Sequence, residues 1–120
     1  MKILIVDDNR AVRRVVHWAL KRAGYGVHDI DEAEDGSVGL AKIETTKPDL
    51  VLCDWNMPRM SGIELLEILH ARDAVPHFAF VTSAWTAQMR DRATGAGATA
   101  FVTKPFTSDS LQAAIGHFLD

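Results

Sequence analysis

The chain has 120 residues, 48% of them hydrophobic and 24% charged, with a formal net charge of −3. That length suits one domain with a buried core, and the composition excludes disordered, collagen-like and disulfide-scaffold classes. A single cysteine cannot form an internal disulfide and suits a reducing, cytoplasmic setting, while the acidic balance argues against direct nucleic-acid binding, which needs clustered Lys and Arg.

In chain order, short apolar runs alternate with longer amphipathic stretches, the pattern of βα units around a mostly parallel sheet. Residues 3–6 read as a first strand, which Asp7 and Asp8 stop well before signal-peptide length. Val12, Val15, Val16, Ala19, Leu20 and Ala23 recur at helical spacing, and Gly24 follows as a terminator. Residues 27–30 read as strand two and 37–43 as a short helix weakened by Gly36 and Gly39. Strand three covers 50–53, and the apolar-rich stretch 61–71 is a third helix. Strand four covers 78–81, and 86–96 is a helix with few large apolar residues, hence lightly packed and mobile. Strand five covers 100–102. A last helix carries the stripe Leu111, Ala114, Ile115, Phe118 and Leu119 behind the capping residues Thr107, Ser108 and Asp109. The expectation is five strands and five helices in one domain spanning 1–120, with no linker, no output domain and no membrane-spanning segment.

Ligands of such a sheet bind beyond the carboxyl ends of its strands. The residues there are Asp7 and Asp8 after strand one, Asp54 after strand three, Thr82 and Ser83 after strand four, and Thr103 and Lys104 after strand five. Each has a bland role open to it: Asp8 or Asn9 as a helix cap, Asp54 in an Asx turn, Thr82 and Ser83 in a turn, Lys104 as a solvated charge. All of them nevertheless fall on one rim. Converging carboxylates repel one another unless a cation compensates, and Mg²⁺ suits an all-oxygen site that keeps waters and a phosphate oxygen.

Four ordered motifs now carry a resemblance: Ile3-Leu-Ile-Val-Asp-Asp8, Asp54-Trp-Asn-Met-Pro-Arg-Met-Ser-Gly62, Val81-Thr82-Ser83-Ala84 and Lys104-Pro105-Phe106. The sequence resembles the receiver domains of two-component response regulators, most closely the stand-alone, CheY-like type, over its whole length. The resemblance implies a doubly wound, flavodoxin-like α/β fold with strand order 2-1-3-4-5. It implies a phosphoryl group accepted on Asp54 from a histidine kinase or histidine phosphotransfer protein, with Asp8 binding Mg²⁺, Asp7 supporting it, and the Asn56 carbonyl as a further ligand. Thr82 and Lys104 would neutralise the phosphoryl oxygens, which is most of what phosphoryl transfer asks of a protein. The resemblance also implies a cis peptide before Pro105, a switch through Thr82 and Phe101, and a target surface on the fourth helix, fifth strand and fifth helix that includes Trp85, Gln88, Met89, Phe101 and Phe106.

Two positions depart from the family pattern. Ala84 stands where the family's chemotaxis type has an acidic residue, and Phe101 stands where a tyrosine is common. Cys53 should point away from Asp54 as a small buried residue, and the five histidines lack metal spacing. Trp18, opposite the valine stripe and beside Arg14 and Lys21, is a candidate docking anchor. The alternatives are a phosphotransfer relay or phosphate-sink carrier, and a Mg²⁺-dependent aspartyl phosphohydrolase. Against the hydrolase stand the missing cap domain and Asn56 in place of a second Asp.

Overall fold

The computed structural model describes residues 1–119 apart from the side chain of Leu119, so that last member of the terminal stripe lies outside what is described. Five parallel strands, β1 (Lys2–Val6), β2 (Asp29–Ala33), β3 (Leu50–Cys53), β4 (His77–Thr82) and β5 (Ala100–Thr103), form one sheet in the order β2-β1-β3-β4-β5. The helices are α1 (Arg10–Leu20), α2 (Gly36–Thr46), α3 (Gly62–Ala71), α4 (Ala87–Gly95) and α5 (Ser108–Leu119).

The alternation of each strand divides the core in two. Leu4, Val6, Val51, Cys53, Phe78 and Phe80 face one way and meet Ile43, Ile63, Leu66 and Ala93 of α2, α3 and α4. Ile3, Ile5, Leu50, Leu52, Ala79 and Val81 face the other way and meet Val16, Leu20, Leu111 and Ile115 of α1 and α5. The three central strands are covered on both faces and therefore read as continuous apolar runs, which is why they are legible from sequence.

Local chemistry starts and stops the helices. Asn9 caps α1 by accepting from the amides of Ala11 and Val12. Ser61 and Glu64 form a reciprocal capping box at α3, and Thr86 caps α4 by accepting from the Met89 amide. Beyond α1 the chain makes a wide π-helical turn, Lys21–Tyr25, in which Gly24 takes φ 97°, the left-handed conformation that ends the helix as expected. In α4 Ala93 alone is fully buried, in line with its thin apolar content.

Two expectations are corrected. Strand two lies at Asp29–Ala33 rather than 27–30, and Val27 is 90% exposed. As an edge strand, β2 needs no continuous apolar run. It turns Ile30 toward the α1 and α5 layer and leaves acidic residues outward, where Lys42 pairs with Asp31 at 3.1 Å. Val15, counted in the α1 stripe, is 53% exposed, because the buried arc of α1 is centred on Val16, Ala19 and Leu20.

Candidate functional site

The strand ends assemble the site. Beyond the last paired residues the ladder continues for one bond on each side of β1. The Asp7 amide donates to the Ala33 carbonyl at 3.1 Å, and the Asp54 amide to the Val6 carbonyl at 3.0 Å. These bonds set Asp7 and Asp54 side by side at the carboxyl edge. Oxygens of Asp7, Asp8 and Asp54 all lie within 4.8 Å of one another. At the other side of the crevice, the Lys104 amide donates to the Thr82 carbonyl at 2.8 Å, tying the ends of β4 and β5 together. The Lys104 ammonium then reaches across to Asp7 Oδ2 at 3.2 Å and Asp54 Oδ2 at 3.6 Å. Thr82 is buried at the end of β4, and the Lys104–Pro105 peptide is cis.

The three carboxylates differ in environment. Asp7 is buried and held at every polar atom: its amide by Ala33, Oδ1 by the Asn9 amide at 2.9 Å, Oδ2 by Lys104, and its carbonyl by Arg13 Nη1 at 2.7 Å. Asp8 is exposed and open to water or an ion. Asp54 lies between them in exposure. Burial pushes its pKa up, Lys104 pulls it down, Asp7 pushes it up again, and the backbone amides of Asn56 and Trp55 pull it down; the net direction is upward. An all-oxygen donor set of this kind fits a hard divalent cation.

The loop after Asp54 is folded tightly back on it. The Gly62 amide donates to the Trp55 carbonyl at 2.9 Å, and a Cβ on Gly62 would sit 2.1 Å from the Asp54 carbonyl oxygen. Only glycine fits there. Cys53 is fully buried, its thiol donating to the Asp54 carbonyl at 3.2 Å. Burial, then the charges of Asp54 and Asp7, push the Cys53 thiol well up, so it stays protonated and inert.

Trp85 and Phe101 are brought together, and two residues unforeseen in sequence join them. Trp55 contacts Phe80 with ring centroids 4.9 Å apart, Trp85 lies edge-on to Trp55 at 6.0 Å, and Phe101 meets Trp85 edge-on at 4.9 Å. The Arg90 guanidinium covers both Phe101, at 4.9 Å, and Trp85, at 5.3 Å. Trp85 is thus half-buried in the α2 to α4 layer rather than a free surface ring, and its indole Nε1 is buried with no hydrogen-bond partner. Met89 is half-buried on α4 and Gln88 exposed, whereas Phe106 packs into the opposite layer with α1 and α5. Arg13 is a third missed residue. It bridges the Asp7 carbonyl and Glu32 Oε1, the latter at 2.9 Å. Trp18 is 60% exposed, and Arg14 is exposed beside it.

A parallel 2-1-3-4-5 sheet with acidic residues, a hydroxyl and a lysine at these strand ends defines a response regulator receiver domain. The chain belongs to that family, whose profile, "Response regulator receiver domain", matches residues 3–116. Its resemblance is to the CheY type. The chemotaxis protein CheY-3 of Vibrio cholerae is 36% identical over 114 residues, covering 93% of this chain and 86% of that protein. The chemotaxis protein CheY of Pseudomonas aeruginosa is 36% identical over 114 residues, covering 93% and 90%. Among solved structures, V. cholerae CheY4 matches with a TM-score of 0.86 at 27% identity, covering 98% and 97% of the two chains. A CheY-like receiver from Methanospirillum hungatei matches with a TM-score of 0.87 at 32% identity, covering 99% and 93%. The family is one of phosphoacceptors in two-component signalling rather than of classical enzymes. No described helix is long and apolar enough to cross a membrane.

Proposed function

We propose that this chain accepts a phosphoryl group on Asp54 from the phosphohistidine of a kinase or phosphotransfer protein, and that the modification changes its binding to a protein target. The observation that carries the reading is the convergence of three carboxylates within 4.8 Å on a lysine ammonium that reaches two of them. Asp54 is the acceptor by position: it is partly open to the crevice and faces Lys104, whereas Asp7 has no polar atom left free.

In the transfer, the phosphorus–nitrogen bond of the donor breaks as a bond forms from an Asp54 oxygen to phosphorus, and the imidazole leaves with the electron pair. Lys104 pairs with the phosphoryl oxygens, and Thr82, at the end of β4, offers its hydroxyl to them. Asp8, Asp54 and the Asn56 carbonyl would hold Mg²⁺ with Asp7 in support, and the ion would supply further neutralisation of the developing charge. Ala84 places no carboxylate beside the crevice to orient a hydrolytic water. Drawing Thr82 toward a phosphoryl group changes the packing around Phe101, Trp85 and Arg90, and with it the face formed by α4, β5 and α5.

The test is incubation with Mg²⁺ and acetyl phosphate followed by intact-protein mass spectrometry. One phosphoryl group should be gained by the wild type and none by Asp54→Asn. Unchanged labelling of the variant would move the acceptor elsewhere.

A further inference from the structure

Arg13 lies on α1 one turn beyond Asn9, its side chain only 13% exposed, so its charge is drawn out of water toward two contacts. Its Nε donates to Glu32 Oε1 at 2.9 Å and its Nη1 to the Asp7 carbonyl at 2.7 Å. β2 ends at Ala33, and the arginine fork takes the place of a further ladder amide on that carbonyl. Glu32 is itself fixed, its carbonyl accepting from Lys42 Nζ at 2.6 Å. Asp7 is therefore held at both ends of its backbone, its amide by the Ala33 carbonyl and its carbonyl by Arg13. Asn9 is held as firmly. Its amide donates to Asp7 Oδ1, its carbonyl accepts from the Arg13 amide at 3.1 Å, and its side chain caps α1. Between these two fixed residues stands Asp8, exposed.

We propose that Arg13 is a positioning residue for the metal-binding end of the crevice: by fixing the peptide between Asp7 and Asp8, it presets the Asp8 carboxylate for a divalent cation. This role rests on the Mg²⁺ reading of Asp7, Asp8 and Asp54. Mg²⁺ demands near-ideal octahedral geometry, so a ligand free to swing costs affinity, and the groups that orient ligands matter nearly as much as the ligands themselves. A bond from guanidinium to carbonyl is charge-assisted, and the planar fork shared with Glu32 makes it directional. The role differs from a plain charge effect in sign. By Coulomb's law a cation beside an acidic site repels Mg²⁺, so its removal alone should tighten metal binding. Loss of positioning should weaken it instead.

The experiment is a Mg²⁺ titration of ¹⁵N-labelled protein, read from the amide shifts of residues 7–9 and 54–56, with the whole amide spectrum reporting the fold of each variant. Arg13→Met keeps the aliphatic stem and should raise the Kd for Mg²⁺ at least about fivefold, despite the added negative charge. The double variant Arg13→Met/Glu32→Gln conserves net charge and leaves no unpaired carboxylate, so it keeps the test open where the single variant does not fold. It should raise the Kd as much. Arg13→Lys retains the charge and a donor, and its Kd should lie between those of Arg13→Met and the wild type. Val16→Ala, a core truncation on the same helix, should stay within about twofold of the wild type, which separates positioning from general destabilisation. Tighter or unchanged Mg²⁺ binding in Arg13→Met or the double variant would overturn the role of Arg13 while leaving the metal site intact. So would Arg13→Lys binding no better than Arg13→Met, or an equal loss in Val16→Ala. A wild type without a saturable Mg²⁺ response, or a response retained in Asp8→Ala, would overturn the metal reading and the proposal with it.

Discussion

Neutralising Asp54 should make the metal-free protein more stable, although it removes an ion-pair partner. At an effective dielectric constant near 20, the attraction of Lys104 for a charge 3.6 Å away is about 4.6 kcal/mol, and repulsion from a carboxylate within 4.8 Å is at least about 3.5 kcal/mol. The surplus, at most ~1 kcal/mol, is smaller than the cost of holding a largely buried carboxylate away from water, and Asp8 adds repulsion that solvent partly screens. The raised pKa of Asp54 carries the same message. Because the folded-state pKa lies above the unfolded value, the group favours folding when protonated, and that contribution is lost as pH rises through the folded pKa. Asp54→Asn in EDTA at pH 7.5 should therefore gain on the order of 1 kcal/mol by urea unfolding, or roughly 4 °C in Tm. The gap should close as pH falls below the ordinary aspartate value of 3.8. A variant less stable than the wild type at pH 7.5, or a gain that persists unchanged into acid, would refute the electrostatic reasoning.

Mg²⁺ should raise the melting temperature of the wild type by linkage and do so far less for Asp8→Ala, checked by differential scanning fluorimetry with and without the ion. Gly62→Ala should cost about 3 kcal/mol or fail to fold, since its Cβ would meet the Asp54 carbonyl oxygen at 2.1 Å and Phe80 at 2.9 Å; urea titration reads the loss. Phe101→Ala should leave acetyl phosphate labelling of Asp54 intact while abolishing the beryllofluoride-dependent change in amide exchange over residues 82–106. Arg90→Ala should weaken that change by freeing the Trp85 and Phe101 rings.

Much of this molecule was legible before any coordinates. β1, β3 and β4 announce themselves because central strands of a parallel sheet are buried on both faces, and the ends of those runs carry the residues of the crevice. The capping residues Asn9, Ser61 and Thr86 and the left-handed Gly24 are local chemistry, so sequence alone determined where those segments begin or end. What the tertiary structure decided are matters of which distant groups meet. The edge position of β2 let Asp29, Asp31 and Glu32 occupy a strand and left Val27 in water, an outcome that depends on neighbours no apolar pattern records. Arg13 reaches Asp7 and Glu32, and Arg90 closes over Trp85 and Phe101, through contacts that only packing creates. Residue type and spacing determine a side chain's capacity to bond; the approach of one strand end to another decides which capacities are used.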